Sequence, residues 1–192
     1  MIYIYCAGTY ASEIYDLITR LDFHKDEIAY VDDSKTELEE FSYEAKIFSL
    51  KELISLWKKE DQIVIANGNP KVKSKIYSRL IYNNIEPTTL IDKTSVVSKS
   101  AKFKKGLIAM PYCSISSFAE LSYNVTVNFN SNIGHHTKIG NNSFISSMVN
   151  IGGNVKIGSH VFIGMGVQIK EGVTIGDNAV VSMGSVVHKN IP

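Results

Sequence analysis

The chain has 192 residues, 44% of them hydrophobic and 20% charged, with a formal net charge of +1. That suits one or two domains with a buried core, and the charge asks for neither nucleic acid nor a membrane surface as partner. Cys6 and Cys113 match no metal or redox spacing and read as buried thiols of a reducing compartment, while Met1 to Gly8 lacks a basic n-region and is too short for a signal peptide or span, so a cytoplasmic protein is expected.

In chain order, residues 2–7 (Ile-Tyr-Ile-Tyr-Cys-Ala) read as a buried strand. A turn at Gly8-Thr9 leads to a helix over 11–21. Residues 28–31 form a second strand ending in Asp32-Asp33. Ser49 with Glu52 fits a capping box opening a helix through Lys59. Residues 62–66 form a third strand, followed by Asn67-Gly68-Asn69-Pro70; Pro70 suits the first turn of a helix to about Asn83. Residues 88–91 read as a short fourth strand. This alternation argues for a parallel sheet with crossover helices, whose ligands sit at the carboxyl ends of the strands. Those ends are Cys6 to Thr9, Asp32-Asp33 and Asn67 to Asn69. A dinucleotide turn wants three glycines and this one offers Gly8 alone, although the amides of Gly8 to Ala11 at a helix start could hold a phosphate. Asp32-Asp33 stands where an acidic residue can meet a ribose, or is a polar turn.

From Val127 to Val187 an Ile or Val falls on every sixth residue: Val127, Ile133, Ile139, Ile145, Ile151, Ile157, Ile163, Ile169, Ile175, Val181, Val187. This period fits neither a helix nor an ordinary strand; it is that of a hexapeptide β-helix. Two positions earlier stand smaller residues, among them Val125, Thr137, Ser143, Val149 and Val155, which would share the prism interior with the larger ones. Gly134, Gly140, Gly152, Gly158, Gly164 and Gly176 directly follow the large residue, where a corner asks for positive φ or close backbone approach. Carried backwards, the register reaches Leu121, Ile115 and Ala109 and places the first coil near residues 100–110. Between Tyr123 and Lys170 there is no Asp or Glu, which would let an anionic ligand approach or simply reflects polar β-helix faces. Two domains are expected, a small Rossmann-like α/β unit over 1–93 and a left-handed parallel β-helix over 94–192.

In the hexad Ile133-Gly-His-His-Thr-Lys the inward slots are Ile133 and Thr137, so His135 and His136 point away from the core. Such an imidazole suits general acid–base chemistry. The combination of a front α/β domain with these repeats resembles the bacterial nucleotide-sugar N-acetyltransferases that use acetyl-CoA on a 4-amino sugar, such as the bacillosamine-pathway and perosamine enzymes, with the sialic acid O-acetyltransferases as relatives. The resemblance covers nearly the whole chain. It is carried by Tyr30-Val-Asp-Asp33, Ile65-Ala-Asn-Gly-Asn69, Leu90-Ile-Asp92, Ile108-Ala-Met-Pro-Tyr112, the stretch from Val127 to Gly140, and Gly153-Asn-Val-Lys-Ile-Gly158.

The resemblance implies His135 as catalytic base, with His136 as a weaker candidate, and the Gly153 N–H as oxyanion donor. It implies a nucleotide-linked amino sugar bound at Gly8, Asp32, Asp33, Gly68 and Asn69, with Asn128 near the acceptor. It further implies acetyl-CoA along Gly153, Gly164 and Met165, a homotrimer, and no metal. Three departures stand out. The family places Asp or Glu after this histidine where the chain has His136; its first turn is richer in Gly; and it continues with a Gly-x-Pro-type tail, where this sequence ends at Pro192. The alternatives are a sugar O-acetyltransferase of the sialic acid type and a catalytically impaired binding or assembly protein. A hexapeptide carbonic anhydrase would need three separated histidine ligands, for which His135, His136 and His160 are a poor match.

Overall fold

The computed structural model describes residues 1–24, 27–35, 37 and 43–192. The front domain is built from β1 (Ile2–Tyr5), α1 (Thr9–Arg20), β2 (Ile28–Val31), β3 (Ile47–Phe48), α2 (Leu50–Leu56), β4 (Gln62–Ile65) and α3 (Pro70–Tyr82). Its four strands are parallel in the order β3-β2-β1-β4, a doubly wound arrangement. Because both faces of the sheet are covered, β1 and β2 are buried at every residue. Ile14, Leu17 and Ile18 of α1 pack on one face; Leu53 of α2 with Ile76 and Leu80 of α3 pack on the other.

Three details differ from the sequence expectation. The two-residue β3 was not anticipated, being too short to show a period. Helix α2 ends at Leu56 rather than Lys59. Trp57 leaves the helix at φ −59, ψ 129, and its ring packs 6.0 Å from Tyr3, so the core captures the chain there. Residues 88–91 do not supply a fourth strand to this sheet. Thr88 donates one backbone bond to Ile63 O, and β5 (Leu90–Ile91) then pairs with Ile108–Ala109 as the first rung of the β-helix. The β-helix therefore starts some ten residues or more before the expected 100–110.

From β5 to β21 (Val186–Val187) every strand has two residues, and each pairs in parallel with the strand 18 residues on. Three sheets result, of six, six and five strands, which form the faces of a triangular prism. The first face carries the rungs Leu90–Ile91, Ile108–Ala109, Thr126–Val127, Phe144–Ile145, Phe162–Ile163 and Val180–Val181. The second carries Asn132–Ile133 and its equivalents, and the third Lys138–Ile139 and its equivalents. The second residue of each rung and the residue two before it fill the prism: Val125, Val127, Ile133, Ile139, Ile145, Val149 and Ile151 all expose under 5%. Polar residues in the smaller slot are satisfied in one repeated way. Thr137 Oγ1 donates to Gly152 O at 2.9 Å and accepts from Val155 N at 3.3 Å, and Ser143 does the same with Gly158 and Val161.

The glycines after each large residue are needed for close approach, not for positive φ. A methyl on Gly134 would come 2.4 Å from the carbonyl carbon of Gly152 in the next coil. Left-handed φ falls two residues later at each corner from Gly106 to Gly184 and is adopted by Asn124, Asn130, His136, Asn142, Met148, Asn154 and His160 among others.

The front domain rests on the lower part of the first face. The outward side chains of its rungs are buried at Leu90, Ile108, Thr126 and Phe144, half-exposed at Phe162 and open at Val180. Arg20 at the end of α1 clamps the buried Asp92 through Nε (2.7 Å) and Nη2 (3.2 Å), tying the front domain to the first coil. That bidentate partner, opposed by burial and helped by Thr94, lowers the Asp92 carboxyl to about 2.

Candidate active site at a β-helix corner

His135 and His136 occupy the corner between the second and third faces, the corner opposite the face that carries the front domain. Both side chains are exposed. Adjacent residues of a strand point to opposite sides, but the corner turns the chain back on itself. His136 has φ 58, and its ring meets that of His135 edge to face, with Nδ1 3.1 Å from Nδ1. His136 also stacks on Phe118, 18 residues earlier, at 5.0 Å between ring centres. The other edge of His135 lies over Gly153 one coil up: a methyl on Gly153 would come 2.4 Å from Cε1 and 2.5 Å from Nε2. Gly is therefore the residue that lets the imidazole lie flat on this corner. Equivalent corner amides are engaged where a side chain reaches them, as Ser159 N donates to Asp177 Oδ1. Among the described residues, no acceptor engages the Gly153 N–H. His135, His136 and Gly153 thus form one group.

Asn128, Gly164 and Met165 lie on a different corner, between the first and second faces. Asn128 is nearly buried; its Oδ1 accepts from Phe129 N at 3.0 Å. Gly164 is pressed against Met183 N of the next coil, and Met165 is half-exposed.

The remaining residues gather at the crest of the front domain. Gly8 precedes α1 with no side-chain cap and no acidic residue in the first turn, which leaves the helix start open to an anion. Asp32 supports that turn: Oδ2 accepts from Ala7 N at 3.0 Å, and Oδ1 accepts from Ser34 N and Oγ. Burial pushes the Asp32 carboxyl up, but the bonds from Ser34, Ala7 and Lys35 together hold it below its ordinary range. Asp33 faces the other way. It accepts from Leu50 N at the start of α2 and pairs with Arg79 at 2.7 Å; these bonds outweigh its burial and lower it too. Asn69 caps α3 through Lys71 N and Val72 N. With Gly68, Lys71, His160, Phe162 and Val180 it lines a cleft of about 470 Å³ where the front domain leaves the first face open.

Several contributors were not foreseen. Lys35 Nζ donates to Ala7 O at 3.2 Å, so a cation stands over the first turn. Cys6 holds a left-handed φ of 84, which a glycine would take without strain, and its Sγ accepts from Asn67 Nδ2 at 3.4 Å, joining two crest turns. Phe118 was invisible because its link to His136 is a stacking offset of one coil. His160 sits at the corner between the third and first faces. There Nε2 meets Ser74 Oγ at 3.1 Å and Asn142 Nδ2 at 3.4 Å, so it does not converge with His135 and His136 within the chain.

Fold and corner define the class: a left-handed β-helix of hexapeptide repeats behind a small Rossmann-like domain. Residues 1–80 match the PglD N-terminal domain, and residues 154–189 match the bacterial transferase hexapeptide (six repeats). The acetyltransferase domain of PglB from Neisseria gonorrhoeae, in complex with acetyl coenzyme A, superposes with a TM-score of 0.89 at 21% identity, covering 100% of this chain and 92% of that one. A substituted form of perosamine N-acetyltransferase from Caulobacter crescentus, in complex with CoA and GDP-perosamine, gives 0.91 at 20% identity, with 100% and 90% covered. WeeI from Acinetobacter baumannii gives 0.90 at 24% identity, with 100% and 93% covered. The shared fold extends over both domains. Among the described residues, no helix is long and apolar enough to cross a membrane.

Proposed function

We propose that this protein is a cytoplasmic acetyltransferase that moves the acetyl group of acetyl-CoA to the 4-amino group of a nucleotide-linked sugar in bacterial surface-glycan biosynthesis. The observation that carries this reading is an exposed imidazole, His135, whose Nε2 lies over a glycine with a free corner amide. The likeness of the whole chain to structures that hold acetyl-CoA, or CoA with GDP-perosamine, supports it.

His135 Nε2 takes the proton of the sugar amine as the nitrogen attacks the thioester carbonyl. The Gly153 N–H donates to the oxygen that becomes negative; loss of one such donor costs about 3–4 kcal/mol. When the tetrahedral centre collapses, the C–S bond breaks and His135 returns its proton to the CoA sulfur. The nucleotide occupies the crest at Gly8, Asp32, Asp33, Gly68 and Asn69, with Lys35 near its phosphates, and Asn128 lies near the acceptor. CoA follows the corner of Gly164 and Met165.

Within one chain these groups stand on separate corners and a domain crest, and the histidine corner is turned away from its own front domain. A homotrimer answers this: a neighbour's corner and crest close the groove and exclude water from the histidine. No metal has a part in these steps.

The test is free-thiol release from acetyl-CoA over a panel of UDP-, GDP- and dTDP-4-amino sugars, with free sialic acid beside them. Release with one amino sugar supports the reading and names the nucleotide. Turnover only with a hydroxyl acceptor replaces it with sugar O-acetylation, and acetyl-CoA binding without turnover on any acceptor replaces it with a non-catalytic role.

A further inference from the structure

We propose that His136 is the positioning residue for His135, a neutral imidazole doing the orienting work that the resemblance assigns to a carboxylate. The proposal rests on His135 as base. It begins from the Nδ1–Nδ1 distance of 3.1 Å. Two lone pairs would repel at that separation and two N–H groups would clash, so one proton lies between the rings, carried by one and accepted by the other.

The geometry settles which arrangement is productive. Nε2 of His135 is the nitrogen over Gly153, and it can accept a substrate proton only if it carries none. The His135 proton must then sit on Nδ1, donated to a bare Nδ1 of His136, whose own proton is on Nε2. His136 is held for this by three restraints. Its backbone is locked in the left-handed corner at φ 58, a region where His is enriched among non-glycine residues. Its amide donates to Ser117 O at 3.0 Å. Its ring rests on Phe118 at 28° to the Phe plane. A carboxylate in this slot would have no need of that aromatic support.

A neutral acceptor fixes the tautomer without adding a negative charge to stabilise the imidazolium, which suits an amine nucleophile better than a hydroxyl. The charged groups along this corner and the third face beside it include Glu120 and Lys138, paired at 3.4 Å, Lys156 above and Lys102 below them, Lys170 with Glu171 two coils up, and Lys99 two coils down. Glu171 Oε1 accepts from Asn154 Nδ2 at 3.1 Å in the His136 column.

The test reads the tautomers directly, by long-range ¹⁵N–¹H correlation of the histidine rings at pH 8, assigned with His135→Ala and His136→Ala. His135 is expected as the Nδ1–H form and His136 as the Nε2–H form. In His136→Ala the His135 ring should lose its preference for Nδ1–H, and kcat should fall roughly 10- to 100-fold with the KM for acetyl-CoA little changed. His136→Asn, which offers an amide oxygen as acceptor in the same slot, should recover most of kcat and restore the Nδ1–H form of His135. A wild-type His135 found as Nε2–H overturns the proposal, and so does a His136→Ala protein whose His135 tautomer is unchanged. If no acceptor supports thiol release while the tautomers are as stated, the pairing stands and the acetyltransferase reading fails.

Discussion

His136 and His160 occupy the same slot of the hexad, three residues after Ile133 and Ile157, with φ of 58 and 60. Their surroundings separate them. His136 stands on the corner facing away from the front domain, stacked on Phe118 and paired with His135. His160 stands on a corner beside the front domain, where Ser74 of α3 and Asn142 engage it. The repeat dictates a backbone; what lies 18 residues away, and whether α3 is near, decides whether the ring meets another imidazole or the hydroxyl of Ser74. The open corner should thus control turnover without stability, and the docked side stability without chemistry.

The largest effect should come from His135→Ala, which is expected to lower kcat about 1,000-fold while urea unfolding and acetyl-CoA binding stay at wild-type values. Near-normal turnover would remove the open corner from the chemistry altogether. Next is Gly153→Ala, whose methyl cannot coexist with the imidazole lying 2.4 Å away. Displacement of the ring should reduce kcat about 100-fold, again with an unchanged unfolding midpoint, and an unaltered kcat would deny the ring its place over the glycine.

On the docked side the sharpest probe is Lys73. Its side chain is fully buried; Nζ donates to Thr126 Oγ1 at 2.5 Å and lies 5.7 Å from the Phe144 ring centre. Burial lowers its ammonium to about 7. In the unfolded chain the amine keeps its proton to about pH 10.4, so between 7 and 10 the unfolded state binds more protons and stability rises with pH. Lys73→Met should stabilise the protein by about 2 kcal/mol at pH 7, after the loss of the Thr126 partner, and the gain should shrink towards zero by pH 10. A gain equal at both pH values in urea melts would refute the burial argument. The smallest effect belongs to His160→Ala, expected to cost about 1 kcal/mol by urea unfolding and to leave kcat within a factor of two. A 100-fold fall in its kcat would erase the contrast between the corners.

The β-helix was legible because each coil repeats its two inward slots, and a period of six cannot be mistaken for a helix or a plain strand. The register was lost at its lower end for a packing reason. Leu107 and Ala109 exchange the usual small and large roles, and Phe103, on the third face, is 40% exposed. The crest turns of the front domain were legible from Gly8, Asp32 and Asn69, since turn residues announce themselves locally. What Asp32 and Asp33 do there was not: one supports the first turn and the other accepts from Leu50 N at the start of α2, bonds that join residues 17 to 25 positions apart. The meeting of the two histidines was equally hidden. Alternation along a strand would have set neighbours on opposite sides, and only the left-handed corner, with Phe118 beneath it, brings the edge of one ring to the face of the other.

Because each rung touches only the rungs directly above and below, the β-helix is a stack whose height is an independent variable. One whole turn inserted above Val181 would lengthen the molecule and leave the histidine corner and the front domain where they are. A single residue removed between Thr137 and Gly152 would instead slide every later isoleucine to the wrong side of its wall. A whole turn of 18 residues returns each later rung to its own face, which is why the length can change there without moving the corners below.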